Sequence, residues 1–134
     1  MPEYIKPNMI LPVSLHDARV TDITVKGDTV VFVFADGIRT VAKDVRQTGY
    51  AAVTFTKVDF DFCSVFCTTP EGRRTGLGIT AFAAARPLPM LDIIDETYGY
   101  NQAKFSCNFT QNGAWCVCDI EIYYLGEMRY MWEA

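Results

Sequence analysis

The stretch Ala103-Lys104-Phe105-Ser106-Cys107-Asn108-Phe109-Thr110-Gln111-Asn112-Gly113-Ala114-Trp115-Cys116-Val117-Cys118-Asp119-Ile120-Glu121-Ile122-Tyr123-Tyr124 decides the fold. In its first half Ala103, Phe105, Cys107 and Phe109 alternate with Lys104, Ser106, Asn108 and Thr110. Successive side chains of a strand point to opposite faces, so this period of two marks a strand with one buried face. Asn112-Gly113 follows, and both residues tolerate the positive φ that a two-residue hairpin turn requires. Beyond it Cys116, Cys118, Ile120, Ile122 and Tyr124 share one face, with Asp119 and Glu121 on the other. The result is a long hairpin with one apolar face, and such a face needs a second layer to cover it.

The same pattern extends in both directions. Toward the C-terminus, Gly126-Glu127 reads as a turn and Met128 to Trp132 as a last strand. Toward the N-terminus, Arg19 to Lys26 reads as a strand, Gly27-Asp28 as a turn, and Thr29 to Ala35 as a central strand, apolar on both faces. Asp36-Gly37 is a hairpin signal, after which Ile38 to Lys43 is expected to return as a third strand. Ala52 to Phe62 alternates, with Val53, Phe55, Lys57, Asp59 and Asp61 on one face, and a further strand is expected from Cys63 to Thr68.

Two segments read differently. Leu77 to Ala85 stays open: Ile79, Phe82 and Ala83 have helical spacing, while Gly76, Gly78 and Thr80 favour a strand. Pro89 to Tyr98 reads as the one short helix. Proline suits its first turn, Leu91, Ile94 and Tyr98 share a helical face, acids lie early, and Gly99 can end it. Residues 1–15 hold Pro2, Pro7 and Pro12 and read as an extended arm. The expected fold is therefore all-β or β-dominated, an antiparallel sandwich or strongly curved sheet of about seven to nine strands with one short helix. Residues 1–134 are expected to form a single domain carrying that N-terminal arm. Phe32, Phe34, Phe105, Phe109, Ile120 and Ile122 are its expected core.

Composition narrows the function. Hydrophobic residues make up 50% and charged residues 21%, a globular rather than a disordered balance. Residues 1–60 carry seven acids and seven bases, whereas residues 61–134 carry nine acids and five bases and hold the whole net charge of −4. An acidic half lacks the basic footprint of a phosphate-backbone binder, so no nucleic acid is expected. The start shows no basic segment followed by an apolar one, and the run Val30 to Ala35 is far short of the ~20 residues that span a bilayer. No membrane contact and a cytoplasmic location are expected. Five cysteines cannot all pair within one chain. In a reducing compartment they are expected as free thiols, without disulfides or metal.

Candidate chemistry is sparse. His16-Asp17 holds the only histidine, beside a carboxylate, as a general base or metal ligand would be. Asp59 with Asp61, and Asp119 with Glu121, are same-face carboxylate pairs that would gather four carboxylates if their strands were neighbours. The more economical reading is a solvated sheet face with Lys57 and Lys104 as partners. Cys63 with Cys67 and Cys116 with Cys118 lack the Cys-x-x-Cys knuckles of structural zinc sites. Arg73-Arg74 sits in a polar loop, suited to an anion but outside any phosphate-binding motif.

The segment Leu15-His16-Asp17-Ala18-Arg19-Val20-Thr21-Asp22-Ile23, followed by Gly27-Asp28-Thr29-Val30-Val31-Phe32 and Asp36-Gly37, resembles small bacterial proteins, mostly uncharacterised, that open with a Leu-His-Asp segment and a hairpin. Some of them are assigned as immunity proteins of polymorphic toxin systems. The resemblance covers residues 14–38 and implies a β-rich non-enzyme that binds another protein.

The expected function is a non-enzymatic, immunity-like protein-binding module. The alternatives are a small-ligand-binding β-barrel or cupped sheet, and an enzyme using His16 or the carboxylates. The partner is expected to be another protein, with self-association left open and no cofactor. Residues 91–134 hold seven acids against two bases, together with most of the Tyr and both Trp residues. Acids steer a basic partner and aromatics supply contact area. The expected binding residues are Asp119, Glu121, Tyr123, Tyr130, Trp132, Arg73 and Arg74, with His16, Asp17, Asp59 and Asp61 as the alternative site.

Overall fold

The hairpin read from residues 103–124 forms as expected. In the computed structural model, which describes residues 3–6, 12–41, 44–85 and 88–134, β11 (Gln102–Gln111) and β12 (Ala114–Tyr123) pair antiparallel through ten residues each. Asn112 and Gly113 turn at φ +52° and +77°. The described residues form thirteen strand segments, namely β1 (Glu3–Lys6), β2 (Val13–Ser14), β3 (Arg19–Val20), β4 (Asp22–Lys26), β5 (Thr29–Phe34), β6 (Arg39–Thr40), β7 (Ala51–Phe55), β8 (Ser64–Thr68), β9 (Arg74–Leu77), β10 (Leu91–Gly99), β11, β12 and β13 (Met128–Trp132), with one helix, α1 (Ile79–Ala84). This exceeds the expected seven to nine because β2, β3 and β6 are two-residue pairings and the arm itself adds β1.

The strands make two main antiparallel sheets. One runs β1-β13-β7-β5-β4, the other β3-β10-β11-β12-β8-β9, and β2 pairs with β6 separately. Neither sheet closes into a barrel. Their apolar faces meet: Phe32 and Phe55 of the five-stranded sheet lie 5.6 and 6.4 Å, ring centre to ring centre, from Phe105 of the six-stranded one. All six residues expected in the core are buried there.

Several expectations are corrected, each for a local reason. Arg19 to Lys26 is not one strand. Thr21 donates its backbone N–H and hydroxyl to the Val33 carbonyl and accepts from the Ala35 N–H, so the chain leaves the six-stranded sheet at Val20 and enters the five-stranded one at Asp22. The Asp36-Gly37 turn forms, but the next segment pairs with β2, and β5 takes β7 as its second neighbour. A Cβ at Gly37, which sits at φ +88°, would run into the Thr48 carbonyl, so the close approach there needs glycine. The predicted continuation of that strand through residues 42–43 lies outside the described residues, as do residues 1–2 and 7–11 of the arm. The outer face of β5 is only half covered, at Val31 and Val33.

The segment Pro89 to Tyr98 holds no helix; from Leu91 onward it is the strand β10 (Leu91–Gly99). A β-bulge between Ile93 and Asp95 breaks its alternation. Leu91 and Ile93 face inward before the bulge and Glu96 and Tyr98 after it, while Ile94, which helical spacing groups with Leu91 and Tyr98, sits at the bulge and is exposed. The one helix falls instead in the segment left open, where Ile79, Phe82 and Ala83 bury the face their spacing defines. It packs against β4 and β8.

Burial also sets the alkaline limit of the fold. Burial first raises the Tyr98, Tyr130 and Tyr124 hydroxyls above the usual tyrosine range, and pushes the Cys107 thiol up to about 12. The native chain holds these protons while the unfolded chain releases them near pH 9 to 10. A raised acid pKa contributes stability that is complete below the unfolded value and lost as pH rises through the window above it. The urea midpoint is therefore expected to fall between pH 8.5 and 10.5. A midpoint that stays level or rises over that range contradicts the assignment.

Candidate functional site

Two surfaces meet along β12. On the outer face of the six-stranded sheet its residues Trp115, Val117, Asp119, Glu121 and Tyr123 point outward in one line. Asp119 accepts a hydrogen bond from Ser106 at 3.1 Å. Glu121 accepts from Gln102 at 3.0 Å and lies 3.5 Å from the Lys104 ammonium. Arg74 begins β9 on the same face and lies over the Phe66 ring, 4.2 Å from its centre, while Gly76 leaves room for that ring beside it. The fold thus brings Asp119, Glu121, Tyr123 and Arg74 onto one surface. Arg73 is exposed beside it, its backbone N–H bonded to the Thr69 hydroxyl.

The line ends in a groove of about 360 Å³ at one end of the sandwich, lined by Asp59, Phe62, Tyr100, Asn101, Tyr123, Tyr124 and Leu125. Phe62 is 65% exposed, Tyr100 88% and Leu125 69%. The Phe62 and Tyr123 rings pack at 5.8 Å. An adjoining depression lined by Asp28, Lys57, Asp59, Asp61 and Leu125 makes the rim acidic.

The walls are fixed by backbone pairing. Val58 N–H donates to the Asp28 carbonyl, Asp59 to Tyr123, Tyr124 to Asn101 and Leu125 to Lys57, at 2.8 to 3.1 Å. Lys57 and Asn101 sit at φ +50° and +55°, in the left-handed region that side chains other than Gly and Asn seldom enter. For Lys57 this is stored strain, held by the surrounding pairings.

Other expectations separate. Tyr130 and Trp132 are 0% and 5% exposed, so they are core residues and offer no contact surface. Both fall on the inward face of β13, where Tyr130 is opposite Val53 and Trp132 opposite Ala51. Asp59 and Asp61 do not lie on a strand. β7 ends at Phe55, Lys57 turns, and Asp59 caps a 3-10 turn at Phe60–Phe62 by accepting the Asp61 N–H. The four-carboxylate cluster does not form, because β12 is flanked by β11 and β8. Among the described residues no group of three or more His, Cys, Asp and Glu is gathered as a metal would need.

His16 and Asp17 are exposed, with Nδ1 3.2 Å from Oδ2, and neither lines the groove or the depression. What secures their segment is Glu96. Its Oε2 accepts from the Ser14 hydroxyl at 2.5 Å and from the Leu15 and His16 N–H groups at 3.0 Å each, and its Oε1 accepts from the Tyr98 hydroxyl at 2.5 Å.

Sequence reasoning missed Phe62, Tyr100, Leu125 and the anchoring Glu96. A signal for two of them exists: Tyr100 lies between Gly99 and Asn101, and Leu125 before Gly126, so each is a large apolar residue placed in a turn.

No helix among the described residues is long and apolar enough to cross a membrane. Comparison with protein-family models, with curated proteins and with solved structures finds no match.

Proposed function

We propose that the chain is a non-enzymatic, cytoplasmic protein-binding module, immunity-like in action, whose contact surface is the β12 line and the groove at its end. The observation that carries this reading is the exposure of Phe62, Tyr100 and Leu125 around one rigid groove with an acidic rim. Large apolar residues exposed together mark interaction sites, and aromatics in a pocket are the usual anchors of an interface. Asp28, Asp59 and Asp61 at the rim, with Asp119 and Glu121 behind them, suit a partner that presents Lys or Arg around an apolar side chain. The His16-Asp17 pair then has a structural part, as the corner that Glu96 ties down.

Once a partner has been isolated by pull-down, the two halves of the surface separate in kinetics. Phe62→Ala with Tyr100→Ala is expected to weaken binding by at least about 2 kcal/mol, roughly thirtyfold, mainly through faster dissociation. Asp119→Lys with Glu121→Lys should slow association at low salt and matter less as salt rises. His16→Ala should leave affinity within about threefold. Binding that survives the groove changes but is lost with His16→Ala places the contact at the Leu-His-Asp corner instead. A small apolar ligand is the second reading, favoured by the groove's volume, which lies within the usual range for such sites. It predicts a ligand that raises the melting temperature of the wild type but not of the Phe62→Ala, Tyr100→Ala variant.

A further inference from the structure

The sheet register aligns three cysteines across neighbouring strands. Cys107 of β11 is directly opposite Cys118 of β12, which in turn is directly opposite Cys67 of β8. The Sγ atoms of Cys67 and Cys118 are 3.4 Å apart, sharing a thiol–thiol hydrogen bond. Residues directly opposite in an antiparallel pair have Cα atoms about 4.5 to 5.5 Å apart, inside the range a disulfide spans. Cys67 is half-buried toward the edge strand β9, whereas Cys107 and Cys118 are fully enclosed.

We propose that Cys67 and Cys118 form a reversible oxidation site, closing to a cross-strand disulfide on reaction with a hydroperoxide. The access and the pairing assign the roles. Cys67 is the thiol a small oxidant reaches first; its S–H donates to Cys118 in the resting pair, and once Cys67 ionises the Cys118 S–H can donate back to it, which favours the thiolate there. The Cys67 thiolate attacks one peroxide oxygen: an S–O bond forms, the O–O bond breaks, and the departing oxygen takes the electron pair and a proton from water, leaving as alcohol or water. Cys67 is then a sulfenic acid. The Cys118 sulfur attacks the Cys67 sulfur: an S–S bond forms, the S–O bond breaks, and hydroxide leaves with the Cys118 proton as water. Two thiols have lost two electrons and the peroxide has gained them. A dithiol or glutathione reverses the step by exchange. Cys107 is a poor competitor because it lies one strand beyond Cys118 from Cys67 and is fully buried. The bond would join β8 to β12 directly behind Phe66 and Asp119, the next residues on the outer face.

The test uses the whole chain, reduced and then freed of reductant, with about one equivalent of hydrogen peroxide. Titratable thiols in the denatured protein are expected to fall from five to about three, the mass by about 2 Da, and peptide mapping should show Cys67 joined to Cys118. Dithiothreitol should restore all five. In Cys118→Ser, dimedone should label Cys67 as the trapped sulfenic acid. In Cys107→Ser the same Cys67–Cys118 link should form. A Cys107–Cys118 link, disulfides only between molecules, or no dimedone label on Cys67 together with five retained thiols in the wild type would each overturn the proposal.

Discussion

Phe105→Ala is expected to lower the stability of the fold by about 3 to 5 kcal/mol, a large part of the total for a domain of this size. Phe105 is 1% exposed at the middle of β11. Its ring reaches across the sandwich to Phe32 and Phe55 and along its own sheet to Tyr98, at 5.6, 6.4 and 6.1 Å. Truncation removes a ring that touches both layers and leaves a void that strands held by backbone ladders cannot close. Urea unfolding followed by fluorescence measures the change, with the buried Trp132 as reporter. Phe105→Leu should recover about half of the loss. A cost below about 1.5 kcal/mol for Phe105→Ala would mean that the two sheets do not meet at this ring.

Glu96→Ala is expected to cost about 3 kcal/mol, although the residue is charged and only half-buried. One carboxylate accepts four hydrogen bonds, from Ser14, Leu15, His16 and Tyr98. Hydrogen bonds to a charged acceptor contribute about 1.5 to 3 kcal/mol each where water is excluded, and the His16 N–H is exposed enough for water to replace its partner. Leu15 is fully buried, and Tyr98 packs against the core and bonds to Tyr130, so the loss propagates inward. Hydrogen exchange should show residues 14–17 losing protection while β11 and β12 keep theirs. Glu96→Gln, which keeps an acceptor without the charge, should cost about half as much. If Glu96→Ala leaves both stability and exchange unchanged, the corner is held by something other than this carboxylate.

What the sequence discloses and what it hides have physical reasons. The hairpin from 103 to 124 is legible because alternation, turn chemistry and length agree, so local and tertiary preferences coincide. β10 is not legible, because one extra residue at Ile94 shifts its inward positions and its pairing with β11 overrides the helical cues. The sheet switch at Thr21 is invisible for a related reason: both halves of Arg19 to Lys26 keep strand geometry, and only the partners change. At the candidate site, Asp119, Glu121 and Tyr123 are read from β12 because alternation assigns them outward. Tyr130 and Trp132 have only their residue type to suggest a contact surface, and burial on β13 removes them from it. The groove is assembled from three separate segments, 59–62, 100–101 and 123–125, and no linear pattern announces which segments will meet.

The order of the five-stranded sheet governs how this chain can fold as it is synthesised. β13 lies between β1 and β7, so the earliest and the latest strands described are hydrogen-bonded neighbours. β4, β5 and β7 can pair as soon as residue 55 is free, but β1 has nothing to join until residues 128–132 emerge. On a ribosome the half-built sheet must therefore wait with the Val30, Phe32 and Phe34 side of β5 uncovered while the second sheet is made. Such exposure favours association with chaperones and, at high expression, with other nascent copies. Slowing translation would not help this chain, since no pause before the last strand lets the sheet close.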